Sequence, residues 1–347
     1  MRFAFTDDQL LFRDTVRDLL DKECQPEQLR YAWVDDDGRL PELWAALGEM
    51  GVLGMQVPER FGGLGMTELD LVLLLEETGR VALPGPIVET VAVAAPLLAE
   101  LTAPAVQAFQ EEWLPGIVGG QSTVVTAFGG ALVPNADSAA LVLAERDGRL
   151  VAVPAGAARL DRQPSVDGSR RLFEAAWDDG AAIVLAEGDE ARAAIDRARD
   201  RGALATAAQL LGLGRQMLDL TVGYVKERRQ FGVPIGSFQA VKHHLADALL
   251  QLEFAVPVVH AAAYALATGD PDAPRVVSHA KVAANDAARL VGRQALQCHG
   301  AIGYTVEYDL HLWLKRAWAL SESFGSSDQH RRRVADSVLG PIPSQMP

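Results

Sequence analysis

The chain has 347 residues, 49% of them hydrophobic, and a formal net charge of −14. That length exceeds one usual domain and predicts two or three compact units with ample core. The acidic balance lacks the basic footprint that nucleic acid and anionic membrane surfaces require, so neither a nucleic-acid partner nor membrane insertion is expected. Cys24 and Cys298 lie far apart without metal-ligand spacing, which points to a thiol-reducing compartment and to no metal site. Met1-Arg2-Phe3 runs straight into a charged amphipathic segment rather than a signal peptide. No uncharged stretch reaches the ~18–20 apolar residues of a membrane span, and the expected location is the cytoplasm.

In chain order, Phe5-Thr6-Asp7-Asp8-Gln9-Leu10 carries a helix start: Thr6 can cap, Gln9 can complete a capping box, and Phe5 can pack on Leu10. A second helix is predicted from Pro41 to about Met50. A glycine-rich loop, Val57 to Gly65, leads to a helix from Thr67 to Gly79 whose apolar run Leu69 to Leu75 predicts deep burial. Helical pattern continues from Ile87 to Trp113. After Pro115 the character changes. Ser122 to Ala127 is β-branched, and Leu141 to Glu145 and Leu150 to Val153 flank Arg146-Asp147-Gly148-Arg149, a hairpin signal. Leu172 to Trp177 and Ala181 to Leu185 add two strands. From Asp189 onward the pattern is helical again, with helices to about Arg229, from Phe238 to Thr268 with a kink at Pro257, from Pro274 to His299, from Glu307 to Ser323, and a short one after Ser327. The predicted organisation is residues 1–120 helical, 121–186 a small β domain, and 187–347 a helical bundle.

One stretch carries chemistry of its own: Glu227-Arg228-Arg229-Gln230-Phe231-Gly232-Val233-Pro234-Ile235-Gly236-Ser237-Phe238-Gln239. Gly232 and Gly236 let the backbone approach a ligand, and Pro234 stops the preceding helix. Arg228 and Arg229 present planar guanidinium forks that suit a diphosphate. Phe231 offers a flat face and Gln239 an amide.

Together with Val57-Pro58-Glu59-Arg60-Phe61-Gly62-Gly63-Leu64-Gly65 and Gln297-Cys298-His299-Gly300-Ala301-Ile302-Gly303-Tyr304-Thr305-Val306-Glu307-Tyr308, this stretch resembles the acyl-CoA dehydrogenase family across essentially the whole chain. The resemblance implies a mainly α fold with a small β domain: an N-terminal helical domain, a middle β domain and a C-terminal four-helix bundle. It implies an oxidoreductase that forms the 2,3-enoyl product from acyl-CoA thioesters with FAD, passing electrons to electron-transfer flavoprotein. The FAD of such enzymes is shared between subunits. By resemblance Arg228, Phe231, Gln239, Gln297, Gly300 and Gly303 hold its diphosphate and adenosine half.

The reaction needs a carboxylate base. Aligned on the family pattern, the usual base position falls on Phe324 and the alternative one on Gly202, so neither is a base. Glu322 is the fallback candidate. The flavin-facing run of the β domain is replaced by Val125-Thr126-Ala127-Phe128-Gly129-Gly130-Ala131, with Trp177 the only tryptophan in that domain. The adenosine side is kept while the flavin side and base are lost. This resembles the shorter, base-less subunit of actinobacterial heterotetrameric dehydrogenases that act on steroid side-chain thioesters in lipid and steroid catabolism. The implied assembly is an α2β2 heterotetramer active only as a complex, whose second acyl-CoA dehydrogenase subunit supplies the glutamate. Two other readings stay open: a self-sufficient homotetramer using Glu322, and a non-catalytic scaffold. His243 and His244, adjacent on a helix, do not share a face for a metal, and Arg331-Arg332-Arg333 reads as a solvated helix end.

Overall fold

A computed structural model describes residues 4–34, 38–128 and 132–340. The chain divides into two compact units, Met1–Leu74 with Leu83–Gly202, and Leu75–Ala82 with Ala203–Pro347.

The first unit opens with α1 (Asp7–Glu23) on the expected capping box. The Gln9 N–H donates to Thr6 Oγ1 and the Thr6 N–H to Gln9 Oε1, which satisfies two donors that a helix end leaves orphaned. Then follow α2 (Pro26–Val34), α3 (Pro41–Glu49) and α4 (Glu68–Arg80), the last running on into the second unit. Leu71 to Leu75 of α4 are buried as the apolar run predicts. The helical pattern after Ile87 is not one helix. Val88–Ala94 is a fully buried π-helical turn in which the Ala95 N–H reaches the Thr90 carbonyl. It precedes Pro96, which has no N–H to donate and would press its ring on the carbonyl four residues back in a regular helix. After α5 (Ala95–Glu100) the chain turns extended at Leu101 and Ala103 before α6 (Pro104–Val118).

The β domain has two sheets. β1 (Val124–Ala127) lies parallel to β3 (Leu141–Arg146), which pairs antiparallel with β4 (Arg149–Pro154), and that with β7 (Ile183–Ala186). β2 (Leu132–Pro134), β6 (Leu172–Ala176) and β5 (Arg159–Gln163) form the second sheet in that order. Val125 and Val142 of the first sheet and Val133 and Phe173 of the second share a buried cluster. The Asp-Gly hairpin is present, with Asp147 and Gly148 at φ 51 and 73, the pair of positive values that a tight hairpin turn demands. Sequence reading missed β2 and β5. β2 is three residues ending in proline, and β5 reads Arg-Leu-Asp-Arg-Gln and is mostly exposed, so neither shows apolar alternation.

α7 (Gly188–Glu227) is 40 residues long. In its first part Arg201 bonds Glu68 at 2.6 Å and also pairs with Glu100, while Arg197 reaches Glu100 at 3.1 Å. Burial pushes the Glu100 carboxyl up, but these cations outweigh it and hold the group below the ordinary carboxylate value.

In the second unit the end of α4 crosses α7 with no room between backbones. A Cβ on Gly79 would strike the Gln209 carbonyl, and one on Gly212 the Glu76 carbonyl. The bundle adds α8 (Gln239–Ala267), α9 (Ala273–His299), α10 (Leu310–Glu322) and α11 (Ser327–Leu339). α8 runs unbroken through Pro257. It is the one described helix long and apolar enough to cross a membrane, with a mean hydropathy of 1.5 over its most apolar window, a test that bundle core helices also pass. Leu249, Leu250 and Phe254 on it are exposed.

Candidate cofactor-binding surface

The stretch from Glu227 to Gln239 folds on itself at the end of α7. The Arg228 N–H donates to the Tyr224 carbonyl, and the Ile235 N–H returns to the Arg228 carbonyl at 2.8 Å. Between them β8 (Arg229–Gln230) pairs with β9 (Val233–Pro234) in a miniature hairpin. Its tip is Phe231, at φ 53 and 90% exposed, edge-on to Phe238 at 6.2 Å. A bulky residue with positive φ is strained and exposes a large apolar ring here, so the tip is shaped for contact outside the chain.

The two arginines have different tasks. Arg229 Nη2 donates to the Gly232 carbonyl at 3.1 Å and so closes the hairpin. Arg228 is exposed, and its guanidinium has no partner among the described residues, nor do the exposed side-chain amides of Gln239 and Gln297.

Tyr224 joins this hairpin to the second motif. Its ring stacks on His299 at 4.3 Å and meets Tyr308 edge-on at 5.6 Å, and His299 and Tyr308 lie 4.8 Å apart. Gln297 and Gly300 flank His299, Gly300 at φ 63 with open space where a Cβ would stand, and Gly303 is buried beside it. Thus the structure gathers the six sequence-predicted cofactor residues at one end of the bundle. The ring cluster itself went unread, because Tyr224 lies 75 positions before His299 and 84 before Tyr308 and gives no local signal toward either.

His299 bears on the chemistry of this surface. Its Nδ1 lies 2.8 Å from the Ala295 carbonyl, so Nδ1 carries the hydrogen and donates. Nε2 is then a bare acceptor, buried and without a partner. Burial pushes the imidazole below its ordinary value, against the Ala295 bond, and keeps it neutral. Burial likewise pushes the Cys298 thiol up, and, with Tyr224, Asp309 and Glu227 nearby, the Tyr308 hydroxyl.

The loop that the family resemblance aligns with the base position runs through Phe324 and Gly325. Phe324 has φ 53 and Gly325 φ 107. His330 Nε2 donates to the Phe324 carbonyl at 2.9 Å. Lys281, fully buried, donates through Nζ to the Leu320 carbonyl at 2.6 Å, and Asn285 Nδ2 donates to Ser321 O and Ser327 Oγ at 3.1 Å each. The loop is therefore capped from α9 and latched from α11, with no carboxylate on it. Gly202 is a buried residue of α7, next to Arg201. Glu322 is exposed at the last position of α10.

Other residues fall as follows. Arg331 pairs with Asp286 at 2.7 Å and Asp328 at 3.3 Å. Trp177 packs beside Ala144, Val151 and Val153. Gly129 to Ala131 lie outside the described residues. No grouping of three or more metal-ligating side chains occurs among the described residues.

Residues 6–121 match the family description of the acyl-CoA dehydrogenase N-terminal domain and residues 192–339 that of the C-terminal domain, so the chain belongs to the acyl-CoA dehydrogenase family. Acyl-CoA dehydrogenase IpdE2 of Mycolicibacterium smegmatis is 34% identical over 335 residues, spanning 96% of this chain and 100% of that relative. IpdE2 of Mycobacterium tuberculosis is 31% identical, spanning 96% and 98%. Among solved structures, the Tcur3481-Tcur3483 steroid acyl-CoA dehydrogenase, G363A variant, is 26% identical with a TM-score of 0.86, over 96% of this chain and 98% of that one. The ChsE4-ChsE5 complex of Mycobacterium tuberculosis has the same fold, with a TM-score of 0.85 at 23% identity over 99% and 100%.

The family uses a flavin, and the surface fits the nucleotide half of one. An unpaired guanidinium stands beside a glycine turn, with two free amides and an exposed aromatic face within the same two motifs.

Proposed function

We propose that this chain is the base-less subunit of a heteromeric, FAD-dependent acyl-CoA dehydrogenase. Its residues Arg228, Phe231, Gln239, Gln297, Gly300 and Gly303 hold the diphosphate and adenosine half of FAD, and the flavin ring and catalytic glutamate belong to a second dehydrogenase subunit. The observation that carries this reading is the contrast between the Phe324 loop and Arg228. The loop is built and latched but offers no proton acceptor, while the guanidinium is exposed and unpaired.

In the assembled site, the chain's own contribution is to bind and orient. Arg228 neutralises diphosphate charge with a forked pair of hydrogen bonds, and Phe231 covers a nucleotide face. The bound flavin supplies hydride acceptance, which electron-transfer flavoprotein then relieves. The α proton leaves to the partner's carboxylate, because no residue on the Phe324 loop can take it. The exposed Leu249, Leu250 and Phe254 of α8 support an assembly partner. The substrate is an acyl-CoA thioester. A steroid side-chain CoA is favoured because a 26% identical solved relative is described as a steroid acyl-CoA dehydrogenase. The proposed location is the cytoplasm.

The test is co-expression with a glutamate-bearing dehydrogenase subunit. The expected result is colourless, inactive protein alone and yellow, active protein together. In the complex, Arg228→Ala lowers flavin occupancy at least about tenfold, the loss of one charge-assisted contact. Stoichiometric flavin and full turnover from this chain alone, abolished by Glu322→Gln, would overturn the reading in favour of a self-sufficient enzyme. Unchanged flavin content in Arg228→Ala would favour a scaffold.

A further inference from the structure

A recess lies wholly within the first unit and shares no residue with the surface above. Its volume is about 420 Å³, and its walls include Leu40, Leu43, Leu47, Leu83 and Pro84. That size falls in the range of sites for small organic ligands, ~300–1,000 Å³. Thr123, which lines it, comes immediately before β1, and Ala140 immediately before β3, so the recess opens at the N-terminal ends of two parallel strands.

The lining of this recess includes hydrogen-bond donors beside the amide of Gln121 and the hydroxyl of Ser138. Thr123 is 8% exposed, and its hydroxyl has no hydrogen-bond partner among the described residues. Trp44 also lines the recess, and its indole N–H has no partner among the described residues. α3 begins in the same wall. Its N-cap, Leu40, provides no side-chain cap, which leaves the Glu42 and Leu43 N–H groups uncapped at a helix end whose first turn also carries the Glu42 carboxylate. Apolar walls lined also by donors call for an apolar body ending in an acceptor oxygen, and the N-terminal end of α3 favours that oxygen carrying negative charge.

We propose that this recess binds a small amphipathic carboxylate of medium-chain fatty-acid size. Its chain lies among Leu43, Leu47 and Leu83, and its head meets Thr123, the Trp44 indole N–H and the first turn of α3. The site is separate from the dehydrogenase reaction and depends on no second subunit.

Octanoate is the probe, titrated into the full chain by calorimetry, with octan-1-ol as the control for the head group. Saturable one-to-one binding of octanoate is expected, with octanol at least about tenfold weaker. Thr123→Val keeps the shape and removes the hydroxyl, and raises the dissociation constant about five- to tenfold, the worth of one hydrogen bond. Ala45→Trp, at an exposed position of the rim, blocks entry and abolishes binding even if Thr123→Val proves unstable. Arg228→Ala leaves octanoate affinity unchanged. Absence of saturable binding would overturn the proposal. So would octanol binding as tightly as octanoate, or affinity unaltered by both Thr123→Val and Ala45→Trp, which would place the ligand elsewhere.

Discussion

Two Phe-Gly turns in this chain have nearly the same backbone and opposite surroundings. Phe231-Gly232 has φ 53 and 80, and Phe324-Gly325 has φ 53 and 107. At Phe324 the interior supports the strain: His330 binds its carbonyl, and Lys281 and Asn285 cap the helix that leads into it. At Phe231 a two-by-two hairpin, the Ile235–Arg228 backbone bond, one Arg229 bond and the edge-on Phe238 ring hold the turn, and the Phe231 ring is 90% exposed. Strained conformations persist where surroundings over-determine them. The first turn is more weakly determined within this chain, in keeping with the proposed cofactor contact. The second is complete in itself, in keeping with the proposed base-less role.

The sharpest way to break the comparison is Gly325→Ala. Its φ of 107 is disallowed for alanine, and the new Cβ would stand 2.6 Å from His330 Nε2. A loss of about 3 kcal/mol is expected in chemical denaturation. His330→Ala comes next, removing the latch from a buried carbonyl at a cost of about 2 kcal/mol, with faster proteolysis of the loop. Phe231→Asn should act in the opposite direction on the isolated chain. Asparagine tolerates positive φ, so stability is unchanged or rises by about 0.5–1 kcal/mol while flavin retention in the complex falls. Equal destabilisation by Phe231→Asn and His330→Ala would end the distinction between the turns.

The smallest effect is a pH dependence on the Phe231 side. His299 titrates below its ordinary value when folded because it is buried. The unfolded chain therefore binds the proton first as pH falls below about 6.5. The stabilising contribution of neutral His299 is complete above that pH and is lost as pH drops through the folded value. Urea midpoints measured from pH 7.5 to 5 should decline less steeply in His299→Phe than in the parent chain.

Much of this was legible in the sequence because the signals are local. Thr6 with Gln9, Asp147 with Gly148, and the ends of α7 to α10 are set by residues a few positions apart. The motif strings of arginine, glycine and amide at the proposed cofactor surface are likewise local in the sequence. What escaped depends on distant partners. β5 is held by pairing with β6, not by its own polarity. Lys281, read by type, belongs on a solvated face, and only the fold shows it fully buried against a helix end. The Tyr224, His299 and Tyr308 stack escaped for the same reason.

The Arg201 cluster has a consequence for biosynthesis. Arg201 follows Glu100 by 101 positions and Glu68 by 133. At translation speeds of roughly 5–20 residues per second, both carboxylates leave the ribosome on the order of 5–25 s before their cation exists. The nascent first unit must therefore wait, solvated and open to chaperones, until the leading turns of α7 arrive to close it.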